Sequence, residues 1–140
     1  MAINVSIVRI KASKEKVWQA ITDPDHVKSW QYNSELITTW KVNESINFST
    51  PFGDSIYKQW GTVIAFQPYD MVKYSLFAPR PGMEDLPENY FIMTYVLTAI
   101  DEGTELEIIQ EDNRPNAIQE DKQGEENPVL MALKVLSENL

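Results

Sequence analysis

The last stretch of the chain, NPVLMALKVLSENL over residues 127–140, constrains the fold most. Asn127 followed by Pro128 reads as a helix start. The asparagine side chain can accept from free first-turn amides, and proline suits the first helical position. Beyond the start only Lys134, Ser137, Glu138 and Asn139 are polar. A helix apolar around most of its circumference is expected to lie buried along much of its length. The rest of the chain has to supply the cover.

That cover reads as a sheet. Residues 2–10 read as a strand, with Ile3, Val5, Ile7 and Arg9 on one face and Asn4, Ser6, Val8 and Ile10 on the other. The mixed pattern predicts a strand at least partly covered on both faces. Residues 13–22 predict a short helix, capped by Ser13, with Val17, Ala20 and Ile21 as its apolar stripe. Asp23-Pro24 ends that helix and starts a second, brief one carrying Val27 and Trp30. From residue 34 the period becomes two. It predicts strands near 35–41, 45–50, 56–66, 71–77, 90–100 and 104–112, separated by turn-forming clusters. The cleanest alternation is in TELEIIQE: Thr104, Leu106, Ile108 and Gln110 face one way and Glu105, Glu107 and Glu111 the other. The longest loop, APRPGMEDLPEN over 78–89, holds three prolines. Its length suits a lid or an ordinary surface excursion equally.

Successive strands with short links predict an antiparallel meander in an α+β fold, curved around the terminal helix. No repeat, linker or low-complexity run divides the chain, so a single domain over residues 1–140 is expected.

Charge narrows the partners. Residues 1–83 hold nine Lys/Arg against seven Asp/Glu, whereas 84–126 hold two against thirteen. So acidic a surface repels phosphate backbones, and nucleic acid is not an expected partner. No apolar run has the length of a signal peptide or a membrane span, so no membrane association and a cytoplasmic location are expected. The absence of cysteine excludes disulfides, thiolate metal sites and a cysteine nucleophile.

At the level of motifs, VWQAITDPDHVKSW resembles the START-like superfamily, also called polyketide cyclase/SRPBCC. Within it the chain resembles the branch named after the activator of the heat-shock protein 90 ATPase. The motif positions are Val17, Trp18, Ala20, Ile21, Thr22, Asp23, Pro24 and Trp30. The segment TWKVNESINFS resembles the branch's second hairpin. Gly61, Val63, Pro68 and Tyr74 resemble its next strand pair, and Gly103, Thr104 and Leu106 a later strand. Two departures stand out: Asn43-Glu44-Ser45 replaces turn glycines, and the last helix begins with Pro128 where a tryptophan is frequent. The resemblance implies a helix-grip fold, a curved seven-stranded antiparallel sheet around a C-terminal helix, with a cavity between them. The chaperone activator carries a further N-terminal domain for which this chain has no room, so stimulation of that ATPase is not expected.

Chemistry is sparsely marked. One histidine, His26, sits at a helix start, where a surface or capping role is ordinary, and no metal or cofactor is expected. Neither a nucleophile elbow nor a glycine-rich phosphate loop occurs. Glu35 is the first carboxylate to inspect for acid–base work, with a surface charge as its ordinary reading. The aromatic set is the better clue. Trp30, Trp40, Phe48, Trp60, Tyr74, Leu76, Met93 and Tyr95, with Met131 and Val135 on the last helix, are the expected lining of an apolar cavity. A densely filled core is the competing expectation. The first functional expectation is binding of a small apolar or amphipathic molecule. An enzyme of cyclase or hydrolase type acting in the same cavity, with no catalytic residue assigned, and a chaperone- or partner-binding module are the alternatives.

Overall fold

A computed structural model describes all residues, 1–140. The elements follow the order β1 (Ala2–Ile10), α1 (Lys14–Thr22), α2 (Pro24–Trp30), β2 (Glu35–Thr38), β3 (Ser45–Phe52), β4 (Ser55–Gln67), β5 (Met71–Leu76), β6 (Phe91–Ile100), β7 (Gly103–Asp112) and α3 (Pro128–Glu138). The strands form one sheet in the order β1-β7-β6-β5-β4-β3-β2, antiparallel throughout. Only β1 departs from sequence order.

Curvature follows from who touches whom. β1 and β2 are opposite borders of the sheet, separated by six strand spacings, about 29 Å if the sheet were flat. Yet α3 packs on β1, α2 packs beside β2, and α2 and α3 pack on each other. The sheet therefore curls to bring its borders to one helical layer. A bulge between Val63 and Ala65 in β4 adds local twist where the curl passes. At Gly61 a Cβ would lie 1.8 Å from the Ser75 carbonyl oxygen, so β4 and β5 approach there as only glycine allows.

Local chemistry sets the helix ends. The Ser13 hydroxyl accepts from the Lys16 amide at 3.3 Å. Asp23 ends α1 and caps α2, accepting from the Asp25 amide at 2.9 Å. Asn127 accepts from the amides of Val129 and Leu130. The apolar stripe of α1 is buried, with Val17 and Ala20 wholly inaccessible. The turn before β3 places Asn43 at φ 73°, a conformation asparagine tolerates without glycine.

Two expectations need correction. β2 stops at Thr38 instead of continuing to 41, because Trp40 adopts φ 60°, incompatible with an extended strand. The helix α3 is buried on one stripe only, at Leu130, Leu133 and Ser137; Met131 is 37% and Val135 50% exposed. It lies against β1, α1 and α2 near a border of the sheet, so its outer face has no cover.

The acidic segment after β7 has a structural task. The Ile7 amide donates to the Gln123 carbonyl at 2.9 Å and the Gln123 amide to the Val5 carbonyl at 3.1 Å. Gln119 likewise accepts from the Ile3 amide and donates to its carbonyl. This segment thus occupies the free border of β1. No helix is long and apolar enough to cross a membrane.

A polar cleft at one end of the concave face

Register places the side chains of the concave face in rows, because directly opposed residues of antiparallel strands share a face. One row runs Val8, Leu106, Leu97. The next runs Ser6, Ile108, Tyr95, Val72, Phe66. A third runs Asn4, Gln110, Met93, Tyr74, Val63. The last runs Ala2, Asp112, Phe91, Leu76. Polar side chains enter these rows only on β1 and β7, at Ser6, at Asn4 with Gln110, and at Asp112.

A cleft of about 390 Å³ opens where Asn4, Gln110 and Asp112 stand. Asn4 and Gln110 form its wall on the sheet, joined by an amide hydrogen bond of 3.3 Å. Asp112 and Arg114 line it next. Residues 115–118 and Glu120 form the far side, and Arg80 closes the rim. The Arg114 guanidinium donates through Nε to Asp112 Oδ1 and through Nη2 to Oδ2, both at 2.8 Å. It also lies 4.6 Å from the Phe91 ring centroid. Both partners of the pair are almost wholly buried. The hydrogen bonds from Arg114 hold the Asp112 carboxyl below its ordinary range, while Asp112 raises Arg114. Arg80 is exposed and makes no ion pair, and it acts electrostatically on Asp112 and Tyr57. The Tyr57 hydroxyl donates to the Pro79 carbonyl at 2.9 Å, tying the start of the 78–89 loop to the cleft rim.

Behind the cleft lies a chain of rings. Trp18 packs on Tyr69 and Phe66, Phe66 stacks on Trp40 at 5.5 Å, and Trp40 meets Tyr74. Tyr74 in turn meets Phe48 and stacks on Tyr95 at 6.2 Å. Burial pushes both phenols up, Tyr74 further because Tyr95 lies beside it. Both are therefore neutral near pH 7, able to donate a hydrogen bond and unable to carry charge.

The structure sorts the expected lining residues. Phe48, Tyr74, Leu76, Met93 and Tyr95 share the concave face, and Trp40 packs against it. Trp30 is buried in α2, its indole donating to the Ala20 carbonyl at 2.7 Å, which fixes it as a helix-layer strut. Trp60 needs correction. It pairs with Asn47, whereas Phe48 pairs with Gln59, so Trp60 points to the convex face. There it packs on Phe77, and Tyr90 packs on Phe77 in turn. Trp60 and Tyr90 both donate to Asp85, at 2.9 and 2.6 Å. Met131 and Val135 also need correction, for they look outward from α3. Glu35 is an exposed strand-end residue, and His26 is half-buried in α2. No group of three His, Asp or Glu side chains converges as a metal set.

Sequence reasoning missed Asn4, Arg80, Asp112 and Arg114 as a group. One signal was present: Asn4 shares a face with Val8 and Ile10, and Gln110 with Leu106 and Ile108. Polar residues on an otherwise apolar face mark either a buried network or a cleft.

Comparison with known proteins places this geometry in a family. No curated protein matches the chain. Among solved structures, a protein from Cytophaga hutchinsonii is 28% identical, with a TM-score of 0.70 over 99% of this chain and 86% of that one. A protein from Chromobacterium violaceum shares the fold at 18% identity, TM-score 0.75, covering 99% of both chains. One from Nitrosomonas europaea shares it at 10% identity, TM-score 0.76, covering 99% of this chain and 95% of that one. A family model described as "Activator of Hsp90 ATPase homolog 1-like protein" matches residues 11–138. With the curved sheet, the terminal helix and the motif residues of α1 and α2 all in place, the chain belongs to the Activator of Hsp90 ATPase homolog 1-like family.

Proposed function

We propose that the protein binds a small apolar or amphipathic molecule on the concave face of its sheet. One observation carries this reading: Asn4 and Gln110, which line the 390 Å³ cleft, stand in register beside Met93, a half-buried apolar side chain of the same face. Such a row sets polar amides for a head group beside an apolar side chain for a hydrocarbon or ring body. Binding sites for small molecules combine these two features. The space is bounded by residues 114–120 and the sheet end, and not by α3, so the ligand would enter beside the helix instead of beneath it.

Native mass spectrometry of the protein isolated from its own cells tests the proposal. A retained small molecule, with shifts of the Met93 methyl resonance when it is stripped and restored, is the expected result. A protein that emerges empty and shows no methyl shift with any apolar probe overturns it.

A second reading has its own observation. The tip of the β3–β4 hairpin exposes Phe52 and Ile56, at 77% and 64%. Exposed apolar side chains on a protruding hairpin suit a partner-binding module. In that case Phe52→Ser would abolish partner capture and leave small-molecule binding intact.

A further inference from the structure

The most unusual feature of the cleft is its charge arrangement in an acidic chain. The chain carries a net charge of −9, yet two arginines, Arg80 and Arg114, face one small concavity. Two carboxylates also line it, and each already accepts a hydrogen bond. Asp112 is held bidentately by Arg114. Glu120 accepts through Oε2 from the Gln123 side-chain Nε2 at 3.1 Å, on the side that runs along β1. Arg80 has no ionic partner at all.

Arginine has five N–H donors in a rigid fork. Asp112 takes the Nε donor and one Nη2 donor of Arg114, leaving three on the other edge of the guanidinium. Phe91 and Asp112 fix the plane of that guanidinium, so its remaining donors need no ordering when a ligand arrives. The exposed Arg80 side chain supplies the other half of a clamp. A planar oxyanion accepts paired N–H donors from such groups with good geometry. The neutral amides of Asn4 and Gln110 stand beside it on the way to Met93.

We propose that the cleft recognises the carboxylate of an amphipathic organic acid, with Arg80 and Arg114 on its oxygens and its apolar body reaching past Gln110 toward Met93. This rests on the proposed small-molecule function and names its ligand class. Glu120 opposes the anion, and it sets which end of the cleft the head group occupies.

The test uses decanoate and 1-decanol, two probes of equal chain length that differ in the carboxylate. Binding is measured by calorimetry and by the Met93 methyl resonance. Decanoate is expected to bind at least tenfold more tightly than decanol. Arg80→Gln should weaken decanoate about tenfold and leave decanol unchanged, Arg80→Lys should restore part of the loss, and Glu120→Gln should tighten decanoate severalfold. Circular dichroism of each variant should match the parent. Equal affinity for the two probes, or decanoate binding that ignores Arg80→Gln, overturns the carboxylate assignment while leaving apolar binding standing. Failure of both probes to bind overturns both readings.

Discussion

Two rows of one face make an instructive pair. Val8, Leu106 and Leu97 are 2%, 0% and 4% exposed, whereas Asn4, Gln110 and Met93, on the same three strands, stay half-buried. Backbone pairing is the same in both. What differs is the cover. The apolar row lies beneath α1 and α3, whose stripes of Val17, Ala20, Ile21, Leu130 and Leu133 exclude water. The polar row meets residues 114–120, an irregular segment without an apolar stripe. One half of the face is built for cohesion and the other for access. Changes at Asn4, Gln110 or Arg80 can therefore alter binding at little cost to the first half.

Substitutions should separate the two halves, and the largest effect belongs to the covered one. Leu106→Ala should lose about 4 kcal/mol of unfolding free energy, as burial and cavity terms add. Met131→Ala, on the uncovered side of α3, should change the same denaturant curve by no more than about 0.5 kcal/mol. A Leu106 variant as stable as the parent would remove the distinction.

Next comes the ion pair that floors the cleft. Asp112→Ala leaves the Arg114 guanidinium buried without its partner and should lose about 3 kcal/mol. Acid should act on the same link. The carboxyl is held low in the fold, so its contribution is complete above the ordinary value of about 3.9 and disappears as pH falls through the depressed one. The denaturant midpoint of the parent should drop over that window, and Asp112→Asn should flatten the drop.

Alkali probes the boundary between the halves. Burial raises the phenols of Tyr74 and Tyr95, so the unfolded chain ionises first and stability falls as pH rises beyond about 10. Replacing both by Phe should flatten that decline; an unchanged slope would mean the phenols are open to water. Arg80→Gln, exposed and unpaired, should move stability by less than about 0.5 kcal/mol. A larger loss would make Arg80 part of the structure and not of the site.

The fold was legible in the sequence because its marks are local. Ser13, Asp23 and Asn127 announce helix starts, and TELEIIQE shows its dry face by alternation alone. Gly61 and Gly103 stand where backbone approaches backbone, Gly103 with a Cβ position 2.2 Å from the Ile10 carbonyl oxygen. The site was less legible because its residues lie far apart in the chain. Asn4 meets Gln110 only through the crossing that sets β1 beside β7, and Arg80 arrives from a loop. Trp60 shows the limit of residue type as a guide. As an aromatic on a strand it suggested a lining role, but the register of β3 on β4 decided its side. Composition gave α3 more burial than it has, since no apolar pattern says how much partner surface is at hand.

The segment that runs beside β1 bears on how such a protein survives at high concentration. With the Val5 and Ile7 backbone already satisfied by Gln123, a foreign strand finds few open amides along that margin. The opposite margin, β2, offers a length of four residues. Templated strand addition, a path from a native sheet to fibrils, is thereby denied a long starting ledge at either flank. A macromolecule that docks along the β1 margin finds that backbone already taken and has to be recognised there through side chains.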